Sequence, residues 1–196
     1  MFTGIITHLG KLETVEQSRY TFSADSSFFT KIGKGSSVSV NGICLTVIVQ
    51  PMNKTFSVEV MPETVRRTMI DTLRIGDLVN LELPMFPANL FAGHIVQGHI
   101  DGTGIITSIK SDANSKIFRF KVDKILSRYM IEKGSVAVNG ISLTIIKAQK
   151  DFFTVGIIPF TWNNTMLQYS TVGGLVNIEV DVIAKYVEKF VSLRKE

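Results

Sequence analysis

Two stretches of the chain place a thiol or hydroxyl beside a threonine, directly after a tight turn. Residues 37–47 read SVSVNGICLTV and residues 135–145 read SVAVNGISLTI. Side chains alternate across a strand, so Ile43, Leu45 and Val47 share one face, and Cys44 and Thr46 share the other. Ile141, Leu143 and Ile145 are opposed to Ser142 and Thr144 in the same way. Such a pair suits proton shuttling and hydrogen bonding to a polar substrate, and equally the ordinary polarity of a solvent-facing strand. Cys44 is the single cysteine. A lone cysteine is usually a small buried hydrophobe, but its place on the polar face argues against that here. His99, in GHIVQGHIDG, belongs to the one side-chain type that exchanges protons near neutral pH. Asp101, two residues on, is expected on the same strand face. The plain alternative is a structural, hydrogen-bonded histidine. His94, His99 and Cys44 do not make a metal set, because no CxxC, HxxxH or HExxH pattern occurs. There is also no GxGxxG after a strand, no GxxxxGK[ST] and no GxSxG, so nicotinamide, ATP and hydrolase chemistry lack their usual equipment.

The two stretches are parts of an internal repeat. Eight of their eleven positions are identical at an offset of 98. Pro62 and Thr64 in MPETV answer Pro159 and Thr161 in IPFTW, and DLVNLELP (77–84) answers GLVNIEVD (174–181). MFTGIITHLG (1–10) answers IVQGHIDGTG (95–104), pairing Gly4 with Gly98 and Gly10 with Gly104. The chain therefore divides into a first unit with its linker (1–94), a second unit (95–182) and a tail (183–196). Asn41-Gly42 and Asn139-Gly140 between alternating apolar runs predict hairpin turns, since both residues tolerate positive φ. Further strands are expected at 55–60, 78–83, 117–122, 152–158 and 175–181, and short helices at 63–70 and 123–131. Short strands separated by Gly, Asn and Asp turns indicate an all-β barrel or sandwich in each copy, and periodicity does not choose between them. In the tail, Ile183, Val187, Phe190 and Val191 recur on one helical face, and Arg194 and Lys195 fall where a helix C-terminus favours positive charge. That stripe must pack on its own barrel or on another subunit.

Composition narrows the class. The 196 residues are 45% hydrophobic and 19% charged, enough apolar material for one large or two small cores. The 21 Lys and Arg exceed the 17 Asp and Glu by only four. That scattered excess does not describe a nucleic-acid groove. No apolar run reaches the length of a membrane span. The N-terminus lacks the basic residues of a secretory signal, and one cysteine allows no intrachain disulfide, so a cytoplasmic protein is expected.

MFTGII, NGICLTV, MPET, GHIVQGHIDG, KGSVAVNGISLTI and VNIEVD, in this order along a duplicated chain, resemble the alpha-type riboflavin synthases over essentially the whole length. The resemblance implies two tandem six-stranded Greek-key barrels and a C-terminal helix that assembles a homotrimer. It implies a dismutation of 6,7-dimethyl-8-ribityllumazine, in which one molecule gives a four-carbon unit to another. The products are riboflavin and 5-amino-6-ribitylamino-uracil. No metal or redox cofactor is required, and neither nucleic acid nor membrane is a partner. Each barrel binds one lumazine, and the reacting pair meets between the first barrel of one subunit and the second barrel of a neighbour. The related lumazine protein, a non-catalytic antenna, shares the architecture. A non-catalytic lumazine- or flavin-binding protein is therefore the competing expectation, and an oligomeric β-scaffold the plainest one.

By that resemblance Phe2, Cys44, His99, Ser142 and Thr144 occupy the family's active-site positions, with His99 as the proton-transfer group. Ser142 and Thr144, with Leu143 between them, orient one substrate; Cys44 and Thr46, with Leu45 between them, orient the other. Ser37 and Asp181 match positions near the pockets. Gly4, Ile5 and Ile6 match one edge of the first pocket, and Glu59, Val60, Met61, Pro62, Glu63 and Thr64 its other side. Gly98, Ile100, Lys133, Ile157, Ile158, Pro159, Phe160, Thr161 and Trp162 match the second pocket. Asn139 stands where the family often has Asp, and Phe160 where a polar residue is common.

Overall fold

The computed structural model describes residues 1–86 and 90–193. Arg194 and Lys195, expected at the helix end, lie outside the described residues, as does part of the linker at 87–89.

The first copy forms β1 (His8–Glu16), β2 (Arg19–Ser23), β3 (Ser37–Val40), β4 (Ile43–Thr46), β5 (Thr55–Glu59) and β6 (Leu78–Glu82), with α1 (Pro62–Arg67) between the last two. The second repeats the series as β7 (Gly102–Asp112), β8 (Ser115–Val122), β9 (Ser135–Val138), β10 (Ile141–Ala148), β11 (Phe152–Ile157) and β12 (Leu175–Val180), with short helices α2 (Lys124–Ser127) and α3 (Pro159–Asn164). Strand order is β4-β3-β6-β1-β2-β5 in the first sheet, whose ends meet at an isolated Val47–Val58 bridge. In the second, the equivalent order closes into a barrel. All pairs are antiparallel. The architecture is the pair of tandem barrels that the resemblance implies.

Each barrel is filled from its inward faces. Leu12, Phe22, Val38, Phe56, Val58 and Leu81 fill the first; Phe118, Phe120, Val136, Phe153, Val155 and Ile178 fill the second. Stacked Phe22–Phe56 and Phe120–Phe153 pairs occupy equivalent strands. Asn41-Gly42 (φ 46° and 81°) and Asn139-Gly140 (φ 45° and 78°) make the expected hairpin turns.

The outward faces of β6 and β12 are not solvent faces. Asn80 and Asn177 are fully buried there and lock the barrels together. Asn80 Nδ2 donates to Asn139 O, and its Oδ1 accepts from Met166 N; Asn177 Nδ2 donates to Asn41 O, and its Oδ1 accepts from Met69 N. Each contact is returned by its repeat counterpart. Asn80→Ala strands Met166 N and Asn139 O between the barrels, where an unmet buried group costs about 1–3 kcal/mol. The variant should lose about 2–4 kcal/mol in urea unfolding; a loss below 1 kcal/mol would mean water replaces the amide there.

The tail forms α4 (Val182–Ser192), capped by Asp181, whose carboxylate accepts from Ile183 N at 2.9 Å. It is tied to its own second barrel by Lys185–Asp101 at 2.6 Å and by an Arg128–Glu188 pair. Its stripe stays open: Ile183, Val187, Phe190 and Val191 are 52–64% exposed. Among the described residues no helix is long and apolar enough to cross a membrane.

Candidate active site

The Asn-Gly turns place Cys44 and Ser142 second in their strands, so both sit on the outer face with Thr46 and Thr144. Cys44 and Ser142 are half-buried, the two threonines are exposed, and Leu45 and Leu143 point into the cores. The outer faces are covered by irregular segments that change sides. Gly98 O accepts from Cys44 N at 2.9 Å, so residues 97–100 of the second copy lie on the first barrel. Gly4 O accepts from Ser142 N at 2.8 Å, so the N-terminus lies on the second barrel.

The crossing places Gly4 against the second barrel rather than the first, and Ile6 packs on the second core, while Ile5 lines a cavity of about 340 Å³ with Thr7, Lys31 and Glu82. Gly98 and Ile100 edge the first pocket rather than the second, and Ile100 packs on the first core. The crossing meets at Phe2, fully buried and bridged to Val96, where it closes a small apolar cluster beside Cys44. Phe2 thus contributes packing beneath the thiol.

A cavity of about 290 Å³ opens over Cys44. Its walls are Ile43, Met61, Glu63, Thr64, Arg67 and Thr68 from the first copy, and Gly98, His99 and Ile100 from the second. His99 is exposed at this cavity. It does not share a strand face with Asp101, because the segment is irregular, with Gly98 at φ 80°. The Asp101 carboxylate turns instead to Val180 N and Lys185. Pro62 starts α1, Glu63 pairs with Arg66 and Arg67, Val60 is buried and Glu59 is exposed at the end of β5. Ser37 sits opposite Thr46 in the β3–β4 hairpin.

The second site carries His94, which no sequence motif marks as a site residue. His94 Nδ1 lies 2.7 Å from Ser142 Oγ, and His94 N donates to Thr3 O. His94 precedes the repeat and has no counterpart in the first copy, so only its position beside the GHI segment could have drawn attention to it. The repeat alignment that pairs Gly4 with Gly98 also pairs Ile5 with His99. The two sites therefore receive their imidazoles from different positions. Elsewhere in the second copy, Ile157 is buried at the end of β11, and Ile158, Pro159 and Phe160 are exposed at the first turn of α3. Thr161 accepts through its carbonyl from Thr165 Oγ1, and the half-buried Trp162 ring packs on Phe118 under Lys116 Nζ. Lys133 is exposed in the turn entering β9 at φ 66°. Asp181 lines a different cavity, of about 470 Å³, between α4 and the barrel.

Burial holds the His94 pKa below its ordinary value, against the opposing pull of the Asp181 carboxylate. Burial thus favours the uncharged imidazole beside the Ser142 hydroxyl. An unfolded chain protonates this histidine as pH falls through about 6.5, and the folded chain does so only lower, so stability should be lost as pH falls below about 6.5. His94→Gln should flatten that part of the Tm-against-pH curve; an unchanged slope would contradict the assignment.

The comparisons agree with the duplicated fold. The family model described as lumazine binding domain matches residues 3–84 and again 97–181. Riboflavin synthase of Bacillus subtilis (strain 168) is 40% identical over 199 residues, covering 100% of this chain and 92% of that protein. Riboflavin synthase of Actinobacillus pleuropneumoniae is 42% identical over 194 residues, covering 97% and 89%. The crystal structure of LumP complexed with riboflavin superposes with a TM-score of 0.85 over 92% of this chain and 99% of that one; at 22% identity it speaks for the fold alone. With the duplicated model matched in both barrels and full-length relatives at about 40% identity, the chain belongs to the riboflavin synthase family of tandem lumazine-binding domains.

Proposed function

We propose that the chain converts two molecules of 6,7-dimethyl-8-ribityllumazine into riboflavin and 5-amino-6-ribitylamino-uracil, with one ring held in each kind of pocket. The observation that carries this reading is the pair of repeat-related sites with unlike acid–base groups. One holds the Cys44 thiol with His99, the other the Ser142 hydroxyl with His94 at 2.7 Å. A dismutation needs two like binding scaffolds and two unlike roles, and a duplicated barrel with diverged side chains supplies both. A non-catalytic binding protein has no need of a Ser142–His94 pair in one site and a thiol and imidazole lining the other.

The chemistry requires a proton taken from an acidic ring methyl and a nucleophile added to the other ring. Ser142 hydrogen-bonded to His94 is arranged to pass a proton, and His99 beside Cys44 is exposed where it meets a ring in the first pocket. Thr46 and Thr144 orient the rings from the neighbouring strand positions. Holding two rings face to face supplies much of the acceleration by proximity.

Assembly completes the reading. The open stripe of α4 supports a homotrimer in which the first barrel of one subunit faces the second barrel of the next, and the single free thiol suits the cytoplasm. Purified chain mixed with the lumazine alone should form one riboflavin for two lumazines consumed, with chelator and without nucleotide. A requirement for NAD, flavin or a divalent ion would overturn the proposal. Ser142→Ala and Cys44→Ala should both slow turnover with little change in Tm. Ser142→Ala should cost about 10-fold or more, because it removes the hydroxyl that His94 serves. Wild-type rates in both variants would refute the pocket assignment.

A further inference from the structure

Two buried carboxylates take no part in the scheme above. Glu82 on β6 and Glu179 on β12 are each 3% exposed, on outward strand faces where glutamate would ordinarily be solvated. Among the described residues neither forms an ion pair. Each is instead spent on backbone N–H groups of a crossing segment. Glu82 Oε1 accepts from Thr3 N at 2.7 Å and from Thr3 Oγ1, and Oε2 accepts from Gly4 N at 3.0 Å. Glu179 Oε1 accepts from Gln97 N at 2.7 Å, and Oε2 accepts from Gly98 N at 2.9 Å.

The next link in each chain of contacts is the reactive strand. The glycine whose N–H is held by the carboxylate passes its own carbonyl to the opposite barrel: Gly98 O to Cys44 N, and Gly4 O to Ser142 N. Both glycines have positive φ, and a Cβ on either would sit 2.5–2.6 Å from the Cβ of Cys44 or Ser142. The segment is thus pressed onto the strand without slack, and the residue that follows the glycine, His99 or Ile5, is aimed by it.

We propose that Glu82 and Glu179 are positioning residues wired to opposite barrels: Glu179 of the second barrel sets the Cys44–His99 pocket, and Glu82 of the first barrel sets the Ser142 pocket. Two oxygens of one carboxylate accept from two successive N–H groups, which fixes the orientation of the peptide between them. A glutamine fills the same space but turns an NH2 group toward one of those donors. Burial pushes both carboxyls above their ordinary pKa, and the N–H bonds pull them back. A group kept in so unfavourable a place for packing alone would be replaceable by an uncharged side chain.

This inference rests on the lumazine reading of the two pockets, and Cys44, the only thiol, reports on one of them. The test uses the full chain with Glu179→Gln or Glu82→Gln. Iodoacetamide labelling of Cys44 is followed as the lumazine concentration rises, alongside kcat, KM and Tm. For Glu179→Gln, protection of Cys44 should need about 10-fold more lumazine or greater, because the segment over Cys44 is loosened. For Glu82→Gln, protection of Cys44 should match wild type while kcat falls by about 10-fold or more. Equal weakening of protection by both variants, or wild-type kinetics in both, would overturn the crossed wiring. Glu179→Asp and Glu82→Asp keep the charge but shorten its reach, and should give the same crossed pattern; failure of every form to fold would assign the carboxylates to stability and overturn the proposal. Absence of lumazine protection in the wild type would instead strike the functional reading itself.

Discussion

His99→Gln should slow riboflavin formation by about 100-fold or more while leaving Tm within a few degrees of wild type. The two halves of that expectation have separate grounds. His99 is exposed at the Cys44 cavity and belongs to neither core, so its replacement opens no void. Glutamine keeps hydrogen-bonding capacity but cannot exchange a proton near neutral pH, so binding should persist and the loss should fall on kcat. Ile5 holds the equivalent place in the second site, so no other residue of the repeat supplies this imidazole. A drop of less than threefold would remove His99 from proton transfer in that pocket.

If α4 assembles the proposed trimer, a chain ended at Asp181 should remain folded, be mostly monomeric and turn over little. Fully burying an aliphatic or aromatic side chain yields roughly 1.5–3 kcal/mol. Ile183, Val187, Phe190 and Val191 are already nearly half covered, so about 3–6 kcal/mol per helix remains to be gained on assembly. Losing that would weaken association by about 10²–10⁴-fold. Among the described residues, the barrels lose the ion pairs to Lys185 and Glu188, and Asp101 keeps its bond to Val180 N. Light scattering with a riboflavin assay on the same sample reads both outcomes. A truncated chain that stayed trimeric would show that the helix is not the assembly element. A fully active monomer would place both substrates within one chain.

What the sequence disclosed depended on where its periodicity was undisturbed. The Asn-Gly hairpins and the β5, β8 and β11 strands follow strict alternation and could be read directly. β1 and β7 could not: each carries a bulge, between Leu12 and Thr14 and between Ile106 and Ser108, that shifts the pattern by one face. α3 is six residues without apolar periodicity, and only the repeat discloses it, through Pro159 answering Pro62 at the start of α1. Asn80, Glu82, Asn177 and Glu179 read as the solvent half of alternating strands. They are buried because the other barrel and the crossing segments cover that face, which no local pattern encodes. The same crossing reversed the pocket edges. A repeat alignment pairs Gly4 with Gly98 without revealing that each lies on the other copy's barrel.

The central claim is that unlike pockets from neighbouring subunits act on two copies of one substrate. Co-assembly of two inactive variants tests it most directly. His99→Gln disables the first-barrel pocket, and Ser142→Ala combined with His94→Gln disables the second. Subunits unfolded, mixed in equal amounts and refolded together should regain about a quarter of wild-type activity, since one interface in four joins two intact pockets under random cyclic assembly. Activity no higher than that of the separate variants would place the reacting pair within a single chain and contradict the account.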